Sequence, residues 1–336
     1  MSRFATGLVV GKFAPLHLGH ELVIRAALAR CDRVVILSYS QPEFPGCEPS
    51  RRAAWLAARF PETTRIVLSA DTEKIPDNSA SDDTHRAFTA DIIRRHTGLR
   101  IDAVFTSENY GPGFADDLAR RQSAPVTHVS VDSARELVPI SGTALRRDIH
   151  GQRQYLSPEV YASFVERIAL LGGESTGKST LATALAHALG TLHVVEYGRE
   201  LWVQRNGQLV FDDLLTIARE QIRREEAAAR APGINRFLIC DTTPLTTLFY
   251  SLDLFGRAAP ELLSLAERRY TQTILCADDF PFVQDGTRRD PAFRAHQQDW
   301  YRQRLTGHPH IVATGSLTER TSRLSDLLRG SRIHQS

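Results

Sequence analysis

The segment GGESTGKS at Gly172–Ser179 decides how the second half of this 336-residue chain folds. It fits the pattern G-x-x-x-x-G-K-[ST], follows the apolar run Ile168–Leu171 and precedes the helical run Leu181–Leu189. The glycines let the backbone wrap around phosphates, while Lys178 can reach phosphate oxygens and the Ser179 hydroxyl can bind Mg²⁺. A strand, this loop and a helix in that order predict a phosphate-binding loop in a parallel α/β sheet.

Two acidic residues follow later apolar strands of the same half. Asp241 comes directly after Phe237–Cys240, where an acid can hold Mg²⁺ through water or take the proton of an acceptor hydroxyl. Glu196 follows the strand His193–Val195 and is a second candidate, as base or as sugar contact. A helix N-cap or a surface ion pair is the alternative for both acids. The residues after Glu196 that we consider as acceptor contacts are Tyr197 and Arg199.

The charged segment Asp285–Asp290 reads DGTRRD and contains two adjacent arginines. Arginines in such a turn can close over a transferring phosphoryl group as a lid, and a solvated basic loop is the alternative. The Ala-rich charged run Glu225–Arg230 is predicted to be a solvated helix face. The predicted ATP contacts of this half are Gly172, Gly173, Glu174, Ser175, Thr176, Gly177, Lys178, Ser179, Thr180 and Arg288.

A second motif stands near the beginning of the chain. The segment GKFAPLHLGH at Gly11–His20 follows the strand-like run Gly7–Val10 and precedes a helical pattern. The imidazoles of His17 and His20 therefore lie at a strand-to-helix turn, where a helix N-terminus offers N–H groups to an anion. Such a site suits nucleotidyl transfer, in which charge builds on the α-phosphoryl oxygens and the departing pyrophosphate. Surface or capping histidines are the alternative.

Short apolar runs alternate with helical patterns along the whole chain, and the alternation restarts at Ile168. This pattern predicts two parallel, helix-covered sheets, and so an α/β protein with two domains. Between the two patterns, Ser157 and Pro158 are typical of the N-cap and first position of a short connecting helix. We predict a nucleotidyltransferase domain at residues 1–164 and a kinase domain at residues 165–336.

The overall composition excludes several classes of partner. With 41 basic and 39 acidic residues, nothing indicates a broad surface for nucleic acid or membrane. No apolar run is long enough to span a bilayer, and no secretory leader is visible. Four widely spaced cysteines predict free thiols in a reducing compartment, hence a cytoplasmic protein. Magnesium is the only metal predicted, and the sequence leaves homo-oligomer formation open.

The first motif resembles the G-x-F-x-P-x-H-x-G-H signature of the nucleotidyltransferase superfamily, which has a Rossmann-like fold. Its second signature, I-S-x-T-x-x-R, is matched by Ile140–Arg146, ISGTALR. The resemblance implies that His17, His20 and Arg146 act on the ATP phosphates during transfer. The ATP contacts that we expect in this half are Gly11, Lys12, Phe13, His17, His20, Ser141, Thr143 and Arg146.

Over its whole length the chain resembles the NadR-type bifunctional enzymes, in GKFAPLHLGH, ISGTALR, the segment Ser157–Thr180, EYGRE and the acid at Asp241. This resemblance implies a kinase that phosphorylates ribosylnicotinamide and a transferase that joins nicotinamide mononucleotide to AMP, giving NAD and pyrophosphate. Both reactions use ATP and Mg²⁺. Where relatives carry tryptophans that hold the pyridine ring, the stretch Asp77–Phe88 has His85 and Phe88. Asp77 and Phe88 are therefore tentative substrate contacts, with a core position as the alternative for Phe88.

Other functions stay open at this point. The first signature is shared by transferases that act on pantetheine phosphate, flavin mononucleotide and phosphosugars. A further alternative is that one domain binds nucleotide without turnover, as a regulator. Some NadR-type proteins carry an N-terminal helix-turn-helix that represses transcription, and because only Met1–Thr6 precede the first strand we expect no such domain. Balanced charge also disfavours a DNA-binding regulator.

Overall fold

The structure, a computed structural model, describes residues 3–284, 286 and 288–330. Their backbone contacts divide the chain into two compact units, and the division falls between Phe164 and Val165. Each unit is a parallel sheet of five strands with helices between consecutive strands. The predicted α/β class, with two parallel sheets, is confirmed.

The first unit has the strand order β3-β2-β1-β4-β5, so that β1 lies in the middle. The first strands are added on one side of β1 and the later strands on the other side. The strands run through Phe4–Gly11 (β1), Cys31–Ser38 (β2), Thr64–Val67 (β3), Ala103–Thr106 (β4) and Thr127–Ser130 (β5). The helices are Leu18–Arg30 (α1), Pro49–Arg59 (α2), Asp82–Thr97 (α3), Gly111–Gln122 (α4), Gly142–Arg147 (α5) and Pro158–Tyr161 (α6), with a 3₁₀ helix at Arg153–Tyr155.

The second unit also has its first strand in the middle, in the order β10-β9-β6-β8-β7, but its second strand, β7, lies at the edge of the sheet. Its strands are Glu166–Leu171 (β6), Leu192–Val194 (β7), Phe237–Asp241 (β8), Gln272–Cys276 (β9) and Ile311–Ala313 (β10). The helices are Lys178–Leu189 (α7), Tyr197–Gln204 (α8), Phe211–Ala228 (α9), Pro244–Phe255 (α10), Pro260–Ala266 (α11), Pro291–Arg304 (α12) and Leu317–Gly330 (α13).

Both sequence motifs lie where a central strand passes into a helix. Gly11–His20 joins β1 to α1, and Gly172–Ser179 joins β6 to α7. In open α/β sheets, the connections on the two sides of such a central strand run to opposite faces of the sheet. This leaves a crevice at the carboxyl ends of the strands, where ligands bind. The strand order therefore places each motif at the crevice of its own sheet.

The connecting helix α6 begins at Pro158 with Ser157 as its N-cap, as the sequence predicts. The interpretation of Glu225–Arg230 as a solvated helix face is wrong at its first residue. Glu225 is fully buried and accepts hydrogen bonds from the Tyr270 hydroxyl at 2.9 and 3.1 Å. Burial raises the pKa of Glu225 to about 7. Ala229 in the same run is also fully buried, so the charged composition concealed two positions that continue the buried stripe of α9.

Within the described ranges, no helix is long and apolar enough to cross a membrane. The four cysteines, Cys31, Cys47, Cys240 and Cys276, are all buried and unpaired with one another.

Two candidate nucleotide sites

The histidines of the first motif hold each other in place. His17 is the N-cap of α1, and its Nδ1 accepts the backbone N–H of His20 at 3.3 Å, while Nδ1 of His20 accepts the backbone N–H of His17 at 3.4 Å. The two rings stack with their centroids 3.6 Å apart. The capping alternative is therefore correct for His17, but it coexists with a place in the candidate site.

This reciprocal bonding fixes the tautomer of both imidazoles. A ring nitrogen that accepts an N–H carries no proton, so the proton of each neutral ring sits on Nε2. Burial, followed by the charges of Arg135 and Arg146, lowers the pKa of His17 to about 4. Burial and the neighbouring His17 hold the pKa of His20 well below its usual range. Near pH 7 both rings are therefore neutral and carry their proton on Nε2, and His20 also interacts with the Pro15 backbone.

Two cations of this site share one aromatic ring. The Arg146 guanidinium lies 3.9 Å from the centroid of Phe44, and the Lys12 ammonium lies 5.9 Å from it. Arg146 also donates to the Ala14 carbonyl and to the Thr143 hydroxyl, the latter at 3.1 Å. Burial and the adjacent Arg146 lower the pKa of Lys12. An anion bound here would relieve the repulsion between the two cations.

Most of the predicted residues of this half line one cavity of about 530 Å³. Ser141 is the N-cap of α5, and its hydroxyl accepts the Ala144 N–H at 3.2 Å, which places Thr143 and Arg146 on the first turns of that helix. His17 lines a smaller adjoining pocket of about 80 Å³, which His20 also lines. The predicted ATP contacts on the larger cavity are Gly11, Lys12, Phe13, His20, Ser141, Thr143 and Arg146.

The two tentative substrate contacts of this half do not line the cavity. Phe88 packs against the core cluster, with its ring edge-on to Tyr39 at 5.0 Å, so the core alternative holds. Asp77 is exposed, and its carboxylate accepts from the N–H and hydroxyl of Ser79 at 2.8 and 2.5 Å. Tyr39 and His85 lie on the cavity instead, joined at 3.2 Å between the Tyr39 hydroxyl and Nδ1 of His85.

Sequence reasoning also missed Arg135, which lies on both pockets of this unit and pairs with Glu108 at 2.8 Å. Arg135 has a left-handed backbone conformation, with φ of 54°. It follows β5 by five residues, in a stretch with no apolar periodicity, so no local signal marked it. Phe44 offered a better signal, because it stands in the loop after β2 at the same edge of the sheet as His17.

In the second unit, the phosphate-binding loop is shaped by close approach to its neighbours. Gly172 has a φ of 143°, and a Cβ there would lie 2.8 Å from the Cys276 carbonyl oxygen. Gly177, the N-cap of α7, has a φ of 80°. Both conformations favour glycine. The Lys178 ammonium bonds the carbonyls of Gly172 and Gly173 at 2.8 and 2.9 Å and so folds back over the loop.

Two buried glutamines of α12 bind the same loop from the side. The Gly173 N–H donates to Oε1 of Gln298 at 2.8 Å, and the Glu174 N–H donates to Oε1 of Gln297 at 2.9 Å. The amides of Gly173 and Glu174, the second and third of the loop, are thus bonded to side chains. Phosphate binding then falls to the amides nearer α7 and to Lys178. The predicted contacts that line the kinase cavity, of about 600 Å³, are Glu174, Ser175, Thr176, Gly177, Lys178, Ser179, Thr180 and Arg288.

Asp241 and Glu196 occupy the strand ends that the sequence predicts. Asp241 ends β8, is buried, and its Oδ1 has no hydrogen-bond partner among the described residues. Glu196 is the residue before α8 and lines the cavity. Burial and the nearby Asp241 carboxylate raise the pKa of Glu196. The Lys178 charge acts on Glu196 in the opposite sense and lowers its pKa. Glu196 and Lys178 both line the cavity, whereas Asp241 is not among its lining residues.

The lid segment lies over the loop. Arg288 donates to the Ser175 hydroxyl at 3.2 Å, and the Arg289 N–H donates to Oε2 of Glu174 at 2.9 Å. Both arginines and Gly286 line the cavity. Asp285 and Thr287, which belong to the predicted lid, lie outside the described residues.

Only one of the two predicted acceptor contacts lines the kinase cavity. Arg199 lines the cavity, whereas Tyr197 packs on an apolar cluster, under the Arg224 guanidinium at 4.5 Å from the ring centroid. The cavity wall also holds Trp202, Leu214 and Gln221, which sequence reasoning did not single out.

The units resemble known proteins. The family described as AAA domain matches residues 167–320. The Trifunctional NAD biosynthesis/regulator protein NadR of Salmonella typhimurium is 30% identical over 300 residues, covering 84% of this chain and 71% of that protein. A crystal structure of NadR protein in complex with NR has a TM-score of 0.72 at 19% identity, covering 98% of this chain and 96% of that one. A second, of NadR protein with NAD and AMP-PNP, has a TM-score of 0.70 at 17% identity, covering 99% of this chain and 98% of that one.

Fold and sites together define an enzyme with two nucleotide-binding units, a nucleotidyltransferase followed by a kinase with a phosphate-binding loop. Similarity to the Salmonella protein extends over most of the length of both chains. The chain belongs to the NadR family. The predicted family and the predicted pairing of a nucleotidyltransferase with a kinase are thereby confirmed.

Proposed function

We propose that the chain is a bifunctional enzyme of NAD salvage. The second unit phosphorylates the 5′-hydroxyl of ribosylnicotinamide with ATP, and the first unit transfers AMP from ATP to nicotinamide mononucleotide, giving NAD and pyrophosphate. The observation that carries this proposal is the presence of both phosphate-binding sites in one chain of the NadR family. Acceptors such as pantetheine phosphate or flavin mononucleotide would match the first site alone.

In the kinase reaction, the 5′-oxygen of the nucleoside attacks the γ-phosphorus and the bond to the β,γ-bridging oxygen breaks, which releases ADP. Lys178 turns from its loop carbonyls toward the β- and γ-oxygens, and Arg288 closes over the same group. Glu196, whose pKa is raised, accepts the hydroxyl proton. Asp241 is the alternative base, since it stands at the carboxyl end of β8 and its buried Oδ1 has no hydrogen-bond partner among the described residues.

The oxygens of Ser179 and Asp241 fit a magnesium ion. Asp241 offers a buried carboxylate oxygen with no partner among the described residues, and Ser179 offers a hydroxyl on the first turn of α7. Hard oxygen ligands of this kind suit Mg²⁺, which keeps several waters and binds through few protein groups. When bound, the ion would neutralise charge on the β- and γ-phosphates.

In the transferase reaction, an oxygen of the 5′-phosphate of nicotinamide mononucleotide attacks the α-phosphorus of ATP, and pyrophosphate leaves. No protein nucleophile is required, so the site acts by positioning and by charge stabilisation. The Nε2–H donors of His17 and His20 bind phosphate oxygens, with Lys12 and Arg146 on the departing pyrophosphate. Backbone and hydroxyl groups that assist them are Gly11, Phe13, Ser141 and Thr143.

The acceptor end of this first cavity is built from Tyr39 and His85. Their rings stack at 5.8 Å between centroids, and both line the cavity with Tyr110. Flat aromatic groups at one end of a phosphate-binding cavity suit a pyridine ring. We assign this end to the nicotinamide of the mononucleotide, because the stretch Asp77–Phe88 contains no tryptophan that could hold the ring.

We further propose that the protein works in the cytoplasm on small molecules, namely ATP, ribosylnicotinamide, nicotinamide mononucleotide and NAD, without nucleic acid or membrane. The four buried free thiols and the balanced charge support this.

The test is to incubate purified protein with Mg²⁺-ATP and either ribosylnicotinamide or nicotinamide mononucleotide, and to separate ADP, pyrophosphate and NAD by chromatography. NAD from both substrates is the expected result. ADP from the nucleoside without NAD from the mononucleotide would leave the kinase standing and refute the assignment of the first unit.

A further inference from the structure

One polar side chain in the wall of the kinase cavity has an unused hydrogen-bond donor. Gln221 lies on α9, is 2% exposed and lines the cavity. Its Nε2 has no hydrogen-bond partner among the residues that the structure describes. A buried donor without a partner is unfavourable, and buried side-chain amides in folded proteins are nearly always bonded.

The orientation of this amide is fixed by a backbone group. The Tyr197 N–H donates to Oε1 of Gln221 at 3.0 Å. Turning the amide over would bring two donors face to face, so Nε2 remains the end without a partner among the described residues. Gln221 therefore offers an N–H donor that neither the described part of the chain nor an amide flip satisfies.

The surroundings of Gln221 are suited to an aromatic ring. Ile217 and Leu214 lie one and two turns before Gln221 on the same face of α9, and Trp202 lines the same cavity. The apolar side chains of these three residues line the same cavity as the amide of Gln221, and polar residues such as Arg199 and Thr246 line it as well. A pyridinium ring placed there would have one polar substituent, its carboxamide, whose oxygen is a hydrogen-bond acceptor.

We propose that Gln221 is a specificity residue of the kinase, which donates from Nε2 to the carboxamide oxygen of bound ribosylnicotinamide. This inference rests on the proposed function and names a contact for the nicotinamide ring. A lone N–H donor binds any oxygen at that position, so Gln221 distinguishes a ring with a 3-carbonyl group from a bare ring. Amide and acid forms of the ring are both accepted by this contact.

The test compares three acceptors in the kinase reaction: ribosylnicotinamide, N-ribosylpyridinium, which lacks the carboxamide, and 2′-deoxyribosylnicotinamide. For Gln221→Met, we expect kcat/KM for ribosylnicotinamide to fall about tenfold, the effect of one lost hydrogen bond. The value for N-ribosylpyridinium should hardly change, so the preference between these two falls about tenfold. The preference for the ribose over the deoxyribose compound should stay as in the wild type.

The control is Gln204→Met, since Gln204 is exposed at the end of the neighbouring helix α8. It should leave all three values unchanged. If Gln221→Met does not fold, Gln221→Glu is measured instead, because it keeps an acceptor for the Tyr197 N–H. NAD formation from nicotinamide mononucleotide checks the other unit in each preparation.

Three results would overturn the proposal. An equal loss for all three acceptors would show that Gln221 only supports the backbone at Tyr197. A changed preference for the ribose over the deoxyribose compound would show that Gln221 contacts the sugar. An unchanged preference for ribosylnicotinamide over N-ribosylpyridinium would show that Gln221 does not contact the carboxamide. Wild-type protein that phosphorylates none of the three would refute the proposed kinase function instead.

Discussion

Nδ1 of His17 accepts the backbone N–H of His20 at 3.3 Å, and this bond leaves the Nε2–H of His17 for a ligand. His20 is bound in the same way by the His17 N–H. Loss of either ring therefore removes a donor and disturbs its neighbour. Two histidines that hold each other's tautomer form one functional unit of the first site.

We expect His20→Ala to lower NAD formation from nicotinamide mononucleotide by about 10²- to 10³-fold, as for loss of one oriented donor to a developing charge. ADP formation from ribosylnicotinamide should be unaffected. Lys178→Ala should do the reverse, because its ammonium belongs to the phosphate-binding loop of the other unit. Product chromatography measures both reactions. Loss of both activities in either folded variant would contradict two separate sites.

The stability of the first unit should depend on pH through His17. Its pKa is about 4 in the folded state, against 6.5 for an ordinary histidine, because of burial and two nearby arginines. The unfolded chain therefore binds a proton first as the pH falls. The contribution of neutral His17 to the free energy of unfolding is fully present above pH 6.5. It falls by on the order of 2 kcal/mol between pH 7 and pH 5, and it is lost as the pH reaches 4.

Urea unfolding at pH 7 and pH 5 measures this dependence. His17→Asn keeps an N-cap acceptor for the His20 N–H but does not titrate. The difference in free energy of unfolding between the two pH values should therefore be smaller in this variant than in the wild type. An equal difference would assign the pH dependence to other groups.

Phe44 should matter for ATP although it makes no hydrogen bond through its side chain. Its ring supports the Arg146 guanidinium at 3.9 Å and faces Lys12. We expect Phe44→Leu to raise the KM for ATP in NAD formation roughly three- to tenfold, the range for a partly buried cation–π contact. Phe44→Trp keeps an aromatic face and should stay near the wild type. Equal KM values for the two variants would exclude this role.

The buried carboxylate of Glu225 predicts a stability effect away from the catalytic residues. Its partner, the Tyr270 hydroxyl, precedes β9 and so lies at the end of the sheet opposite to Asp241. Tyr270→Phe should lower the free energy of unfolding of the kinase unit by about 1–3 kcal/mol, because a buried acceptor loses its donor. The KM for ribosylnicotinamide should not change.

Denaturant unfolding and kinase assays measure these two quantities. Tyr155→Phe is a control in the other unit: the Tyr155 hydroxyl has no hydrogen bond within the described part of the chain, so this variant should leave unfolding of the kinase unit unchanged. Equal stability of both variants would show that Glu225 finds another partner, such as Arg268, whose Nε lies 3.2 Å from it.

Local patterns in the sequence were sufficient for the elements and for the strand-to-helix motifs. The inner strands contain apolar runs, because a strand buried on both faces must be apolar along its length, whereas the edge strand β5 has a single buried residue, Val129. Asp241 and Glu196 were found for the same reason, since each directly follows such a run. Residues within one motif lie close in space whatever the rest of the fold does.

Positions on the cavity walls were decided only by tertiary structure. Phe88 and His85 stand three residues apart on α3, yet the rotation of that helix on the sheet turns Phe88 to the core and His85 to the cavity. Gln221 and Glu225 continue the apolar stripe of α9, and what they meet depends on Tyr197 and Tyr270, which come from other elements. Periodicity along one helix gives its buried face, but it does not say which neighbour covers that face, because the neighbour is set by strand order and long-range packing.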